Sequence, residues 1–167
     1  MISKKRKILK IIRDGVILII ILVAIRAYMQ RDAIDGLAPD LKGSLLSGQE
    51  ITLAQLQGKP ALVHFWATWC GICRFEQDSI NDIAKDHQVL SIAMSSGEPS
   101  ELLAYMRENG LAFPVLPDPN GELSKTYGVR GVPASFIIDQ QGQIRFTEVG
   151  YTSEWGLRFR LWLATFY

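Results

Sequence analysis

Both cysteines of this 167-residue chain fall in one short stretch, Trp66 to Cys73, which reads WATWCGIC. Two thiols three residues apart support four chemistries: reversible disulfide exchange, half of a metal clamp, covalent haem attachment, or a structural staple. Haem attachment needs a histidine directly after Cys73, and Arg74 stands there. Structural zinc usually takes four ligands. The two histidines that would complete a set, His64 and His87, lie on the strand before the pair and at the far end of the helix after it. A staple closing so small a loop adds little stability. Copper(I), which suits soft thiolates, stays open as an alternative. A Cys-X-X-Cys pair beside a strand–helix–strand pattern is the expected mark of thiol–disulfide exchange.

The exchange chemistry follows from where the sulfurs sit. Ala61 to Trp66 is a continuous, mostly apolar run, as in a strand buried on both faces. Gly71 to Lys85 has helical composition, so Cys70 opens a helix. The first turn of a helix leaves backbone N–H groups unpaired and carries partial positive charge, which favours a thiolate and lowers the pKa of Cys70. Cys73 lies nearly one turn on, so one sulfur can attack and the other resolve.

The elements around this pair run in a definite order. Leu41 to Leu45 and Glu50 to Leu53 flank Ser47-Gly48 and predict a small hairpin. Val89 to Met94 is a second buried strand, and Pro99 to Asn109 is a helix with proline in its first turn and Gly110 after its end. Phe113 to Leu116 is extended, and Asn120 to Tyr127 is a short helix. Ser135 to Asp139 and Gln143 to Val149 form a hairpin at the edge of the sheet, and Ser153 caps a last helix to about Phe166. The fold class is α/β: a central mixed β-sheet with helices on both faces.

The first thirty residues are of another kind. Lys4, Lys5, Arg6, Lys7, Lys10 and Arg13 precede an uncharged run from Gly15 to Ile25. The run is shorter than the roughly 20 apolar residues of a full span. Apolar residues from Ile8 and up to Met29 lengthen it, with Arg13 and Arg26 able to snorkel and Asp14 at the cytosolic interface. No good signal-peptide cleavage site follows, so the segment is read as one uncleaved N-terminal transmembrane helix in contact with lipid through residues 8–29. The basic residues keep the N-terminus in the cytosol and send the rest across, in a bacterium to the periplasmic face of the inner membrane, where disulfides persist. The expected organisation is a basic arm and anchor at 1–30, a linker at 31–37 and one domain at 38–167. The net charge of +1 hides a division: beyond residue 30 the chain carries 11 basic and 16 acidic residues. That balance of −5 speaks against a nucleic-acid partner.

The run Ala61 to Cys73 resembles the active-site strand and turn of the thioredoxin superfamily. APDLKGSLLSGQEITLAQLQGKPALVHFWATWC is similar to the opening of its membrane-anchored TlpA/ResA-like branch, and YGVRGVPASFIIDQQGQI to that branch's closing segment. The ending VGYTSEWGLRFRLWLA resembles the suppressor-of-copper-sensitivity D group. The resemblance implies a thioredoxin-like fold and a membrane-tethered thiol–disulfide oxidoreductase acting on exported proteins with thiols or disulfides. It implies Cys70 as nucleophile and Cys73 as resolving thiol, with no organic cofactor and no metal. With no third cysteine, a membrane redox partner must recycle the pair. Pro133 matches the family's cis-proline, Val132 offers backbone hydrogen bonds to an extended substrate, and Trp69 borders the substrate groove.

Departures from the pattern are informative. His64 stands where thioredoxin has a buried aspartate; it is either a proton-handling group or a satisfied neutral core residue, the commoner case. Glu76 either tunes the site by its charge or lies on a solvated helix face, the commoner case. Trp155, Phe159, Trp162 and Phe166 recur at helical spacing and read as a core-facing stripe, with membrane or partner contact as the alternative. Ala67 and Val63 occupy the places of the threonine or serine and the proline of peroxiredoxins, so a peroxidatic reading is set aside.

Overall fold

The computed structural model describes residues 2–30 and 33–167. It divides into two compact units, residues 1–31 and 32–167. The first unit is helix α1, Ile2–Gln30. The side chains of Lys4 to Lys7 and Arg26, to which the sequence assigns topology and snorkelling, lie outside the described residues, as do residues 31–32 of the expected linker.

The transmembrane helix expected at the N-terminus is not shown. No helix among the described residues is long and apolar enough to cross a membrane. The 29 residues of α1 are enough in length. The shortfall lies in composition. The uncharged run Gly15 to Ile25 is eleven residues, a rise of about 16 Å against a hydrocarbon core of about 30 Å. Arg13 and Asp14 close one end of the run and Arg26 the other. Arg13 and Asp14 form an ion pair at 2.8 Å.

The second unit is built on a six-stranded sheet in the order β1-β8-β7-β4-β5-β6. Its strands are β1 (Gly36–Leu37), β4 (Ala61–Trp66), β5 (Gln88–Met94), β6 (Val115–Asp118), β7 (Ala134–Ile138) and β8 (Gln143–Val149). β5 pairs parallel with β4 and β6, whereas β7 is antiparallel to both β4 and β8. The mixed sheet is the one the sequence predicts. The hairpin β2 (Lys42–Ser44) and β3 (Glu50–Thr52) forms a separate two-stranded sheet. β8 is not the sheet's edge, because Gly36 and Leu37, expected in the linker, pair with Ile144 and Gln143. Two residues are too few to leave a periodic signal.

Every residue of β4 is buried, which is why it reads as an unbroken apolar run rather than an alternation. Its side chains divide between two half-cores. Leu62 and Trp66 pack with Ile80 and Ile83 of α2 (Gly71–Ile83), Leu102 of α3 (Pro99–Glu108), and Leu157 and Leu161 of α5 (Glu154–Ala164). Val63 and Phe65 face the opposite layer, with Leu41, Ile51, Leu53 and Phe136. There Phe65, Tyr127 and Phe136 form an aromatic trio with centroids 5.2–5.7 Å apart. The Tyr127 hydroxyl donates to the Pro39 carbonyl at 2.9 Å and fixes the start of the domain to its core.

Asp118, at the end of β6, is 4% exposed and starts α4 (Glu122–Thr126). Its carboxylate accepts the backbone N–H groups of Leu123 and Ser124 at 3.2 and 2.9 Å and the Ser124 hydroxyl at 2.7 Å. Asp118→Ala leaves three donors without this acceptor, and the expected loss is about 2–3 kcal/mol. It is read as a lower urea midpoint with unchanged slope.

Candidate active site

The site is built where three strands end. After Trp66 the chain turns through Ala67, Thr68 and Trp69, with the Cys70 N–H returning to the Ala67 carbonyl at 3.2 Å. The Thr68 N–H donates to the Ser96 hydroxyl at 3.1 Å, which ties the turn to the segment after β5. Cys70 is the N-cap of α2, with extended backbone, and its Sγ accepts the Cys73 N–H at 3.1 Å. The sulfur thus takes the place that a serine or aspartate oxygen fills at other helix starts. The two cysteines are joined as a disulfide with Cα atoms 5.3 Å apart. Cys73 is fully buried and Cys70 is 6% exposed, so Cys70 is the sulfur a substrate reaches. In the dithiol form, a thiolate on Cys70 keeps the Cys73 N–H as a donor and faces the positive end of α2, both of which favour the charged sulfur.

The Val132–Pro133 peptide bond is cis, the conformation the resemblance implies. The Val132 carbonyl oxygen lies 3.5 Å from Cys70 Sγ. Trp69 stands beside the pair, largely exposed, its indole N–H donating to the Ser95 carbonyl at 3.0 Å. Ser95 has φ +46°, the left-handed region that side chains rarely adopt. Its N–H donates to the Asp118 carbonyl at 2.9 Å, so bonds on both sides hold the conformation that aims its carbonyl at Trp69. Ile72 and Phe75, in the first turns of α2, are also exposed, Phe75 at 78%. The sequence reading missed Ser95 and Phe75. The signal for Phe75 was its position off the stripe that α2 buries, which holds Cys73, Glu76, Gln77, Ile80 and Ile83.

Glu76 requires a correction. It does not lie on a solvated face; it is 1% exposed, three residues after Cys73 on the buried side of α2. Its Oε1 accepts the Thr152 N–H, and its Oε2 is buried with no hydrogen-bond partner among the described residues. Desolvation raises its pKa to about 7, partly opposed by the Thr152 bond. His64 is buried as well, with Nδ1 2.9 Å from the Ser135 hydroxyl, its register partner on β7. Burial lowers its pKa to about 3, so the ring is neutral near neutral pH. His64 is thus a satisfied neutral core residue.

The comparisons agree with this geometry. Residues 34–147 match the AhpC/TSA family. A thioredoxin-like protein of Haemophilus influenzae is 32% identical, covering 96% of this chain and 99% of its own. A thiol–disulfide oxidoreductase ResA of Bacillus thuringiensis is 35% identical, covering 64% of each chain. Among solved structures, a thiol:disulfide interchange protein of the thioredoxin family from Chlorobium tepidum superposes with a TM-score of 0.68 at 28% identity, over 80% of this chain and 98% of its own. The exposed lipoprotein thioredoxin Etrx1 of Streptococcus pneumoniae gives a TM-score of 0.65 at 31% identity, over 75% and 99%. The chain belongs to the AhpC/TSA family and, with its Cys70–Cys73 pair, is a thioredoxin-like thiol–disulfide oxidoreductase.

His64 and Glu76 impose opposite pH dependences on the oxidised protein. The unfolded chain protonates His64 near pH 6.5 and the native state only near 3, so this residue's contribution is present above 6.5 and lost as pH falls. Native Glu76 holds its proton to about pH 7 while the unfolded chain releases it near 4.5, so its contribution is present below 4.5 and lost as pH rises through 7. Relative to wild type, Glu76→Gln should therefore gain stability on going from pH 4.5 to 7. His64→Asn should lose it between pH 4.5 and 6.5. Urea midpoints across this range decide the matter; shifts of the same sign in both variants would refute the assignment.

Proposed function

We propose that this oxidoreductase is tethered to a bacterial inner membrane with its N-terminus in the cytosol, and exchanges thiols and disulfides with exported proteins on the periplasmic side. The observation that carries the exchange reading is the position of Cys70 Sγ, capping α2 and 3.5 Å from the carbonyl before a cis-proline. Strand ends and the exposed apolar side chains of Trp69, Ile72 and Phe75 leave this sulfur open to an extended chain. The Val132 backbone supplies hydrogen bonds to that chain in the strand-addition mode.

The reaction balances within the two proteins. The Cys70 thiolate attacks one sulfur of a substrate disulfide. A Cys70–substrate bond forms, the substrate S–S bond breaks, and the departing thiolate takes a proton. Cys73, having lost its proton, attacks Cys70 Sγ and releases the second substrate thiol. The substrate gains two electrons and two protons, and the Cys70–Cys73 disulfide holds the deficit. Oxidation of a substrate dithiol runs the same steps backwards. Glu76 tunes Cys73 through its charge: its carboxylate, formed above about pH 7, opposes a thiolate one turn away. His64, neutral and bonded to Ser135, holds the strand rather than a proton in transit. The chain has two cysteines and both are in the site, so recycling falls to a second protein, a redox partner in the same membrane.

Support for the tether comes from α1. Its eleven-residue uncharged run follows six basic residues, the pattern that keeps an N-terminus in the cytosol. The Arg13–Asp14 pair lowers the charge presented at one end of the run. Apolar residues from Ile8 to Met29 extend the lipid contact while the arginine stems snorkel. The pneumococcal neighbour is, by its own description, an exposed lipoprotein.

Cys70→Ser should lower insulin-disulfide reduction at least about a hundredfold, because the nucleophile is gone. Cys73→Ser should accumulate a mixed disulfide on Cys70. Retained turnover in Cys70→Ser, or stoichiometric Cu(I) binding by a protein that turns over no disulfide, would overturn the exchange reading. For the tether, the full chain should stay with membranes through carbonate extraction, and an impermeant maleimide should label its reduced cysteines in intact spheroplasts. Recovery in the supernatant, or labelling only after lysis, would refute it.

A further inference from the structure

Helix α5 has two apolar faces, and only one is covered. Leu157, Leu161 and Ala164 are buried against the sheet. Trp155, Phe159, Trp162 and Phe166, the stripe whose spacing predicts a core-facing side, lie at 83%, 55%, 53% and 70% exposure. That is a correction: the leucines interleaved with the aromatics take the buried face. Three of these rings touch in sequence. Phe159 stacks on Trp162 at 5.8 Å between centroids, and Trp162 meets Phe166 edge-on at 5.0 Å. Tyr167 continues the stripe, with the Arg145 guanidinium 4.5 Å from its ring centroid.

The charges beside the stripe are already committed. Arg158 bonds Asp86 and Glu154 at 2.7 Å each, and Arg160 bonds Glu148 at 2.7 Å. What remains is an uncharged aromatic band about 16 Å long, larger than the scattered apolar residues a monomer ordinarily exposes. Tryptophan, tyrosine and phenylalanine are the residues of the lipid–water interface, where amphipathic rings sit at headgroup level.

The band's place in the domain names its occupant. Tyr167 lies against Arg145, and the residue before it, Ile144, pairs with Gly36 of β1. The end of the band and the entry of the chain into the domain thus share one end of β8. This is the end of the sheet where Ala61 begins β4 opposite Ile138, while Cys70 follows the other end of that strand. Five residues, 31–35, separate α1 from β1, a reach of at most about 18 Å. We propose that the aromatic band of α5 lies in the interfacial layer of the bilayer as a second, monotopic membrane contact. The inference rests on the tether proposed above. Its consequence is orientation. Thr152, just ahead of α5, donates to Glu76 on the cysteine helix, so α5 lying along the lipid lays the domain on its side, with the Cys70–Cys73 end at the level of the opposite end and not pointing away from the membrane. There it meets a redox partner in the same bilayer.

The test uses the full chain in vesicles of phosphatidylcholine and phosphatidylglycerol, with part of the lipid brominated near the headgroup end of the acyl chain. Tryptophan emission should fall in brominated vesicles, and this quenching should drop in W155F/W162F, which keeps aromatic bulk, removes the band's two reporters and leaves Trp66 and Trp69 as the reference. A chain that floats with the vesicles but whose quenching is the same in W155F/W162F overturns the α5 contact and leaves the tether standing. A chain that does not float refutes the tether and this contact together. Crosslinked dimers on vesicles that disappear in Trp162→Ser, without quenching of wild type, would give the band to a second copy of the chain instead.

Discussion

The hydrogen bond from the Cys73 N–H to Cys70 Sγ is the constraint on which the site depends. It makes one sulfur both the cap of α2 and the group that reacts, so the start of the helix and the chemistry share one atom. That atom can be placed only if the strand before it is immobile. Burial of β4 on both faces, with a parallel neighbour on one side and an antiparallel one on the other, supplies that immobility. The same neighbours deliver the rest of the site. The segment after β5 brings the Ser96 hydroxyl to Thr68 and the Ser95 carbonyl to Trp69. The segment before β7 brings the cis Val132–Pro133 bond. A mixed sheet suits this arrangement, because the ends of parallel β4 and β5 meet the beginning of antiparallel β7 at one pole.

Two ionisable groups are buried around this frame, and the same desolvation has different consequences for them. A neutral imidazole loses little by burial when a hydroxyl meets one ring nitrogen, so His64 resolves its cost by staying uncharged. A carboxyl can do the same only by keeping its proton, and the Thr152 N–H pulls the other way by stabilising the anion. Glu76 therefore stands near balance at neutral pH. Of the two, it is the group whose charge responds to small changes beside it, including the loss or gain of a thiolate one turn away. The residue type that ordinarily titrates near neutrality is silent here, and a glutamate has taken that range.

Much of the fold was legible in the sequence where residue type and burial agree. Ala61 to Trp66 was bounded correctly because continuous burial writes itself as continuous apolarity, and Pro99 marked the start of α3 because proline suits a first turn. The cysteine pair was legible because the chemistry permits few residue types. Glu76 was not, because a charged residue buried by tertiary packing looks the same in sequence as one on a wet face; only Thr152, 76 residues on, shows where it points. The α5 stripe failed for a related reason. Helical spacing singles out the four aromatics, and periodicity alone does not say whether they or Leu157 and Leu161 meet the sheet. The smaller, well-packing leucines do. β1 was invisible because a two-residue strand carries no period at all.

Energetics connect the two proposed membrane contacts. The uncharged run of α1 is about half the thickness of the hydrocarbon core, so the proposed tether rests on flanking apolar residues and on arginine stems that reach outward. An interfacial aromatic band is by itself a reversible contact, and stable anchoring generally takes two such signals. Joined through a five-residue connection, each contact acts on the other as a high effective concentration, and two modest affinities multiply into a firm one. In the proposed arrangement the same linkage would orient the domain, because a second contact at α5 fixes which side faces lipid. The site holds both of the chain's cysteines, so the two proposed contacts bear on the proposed recycling as well: a restricted orientation near the membrane would raise the frequency of productive encounters with a partner in the same bilayer.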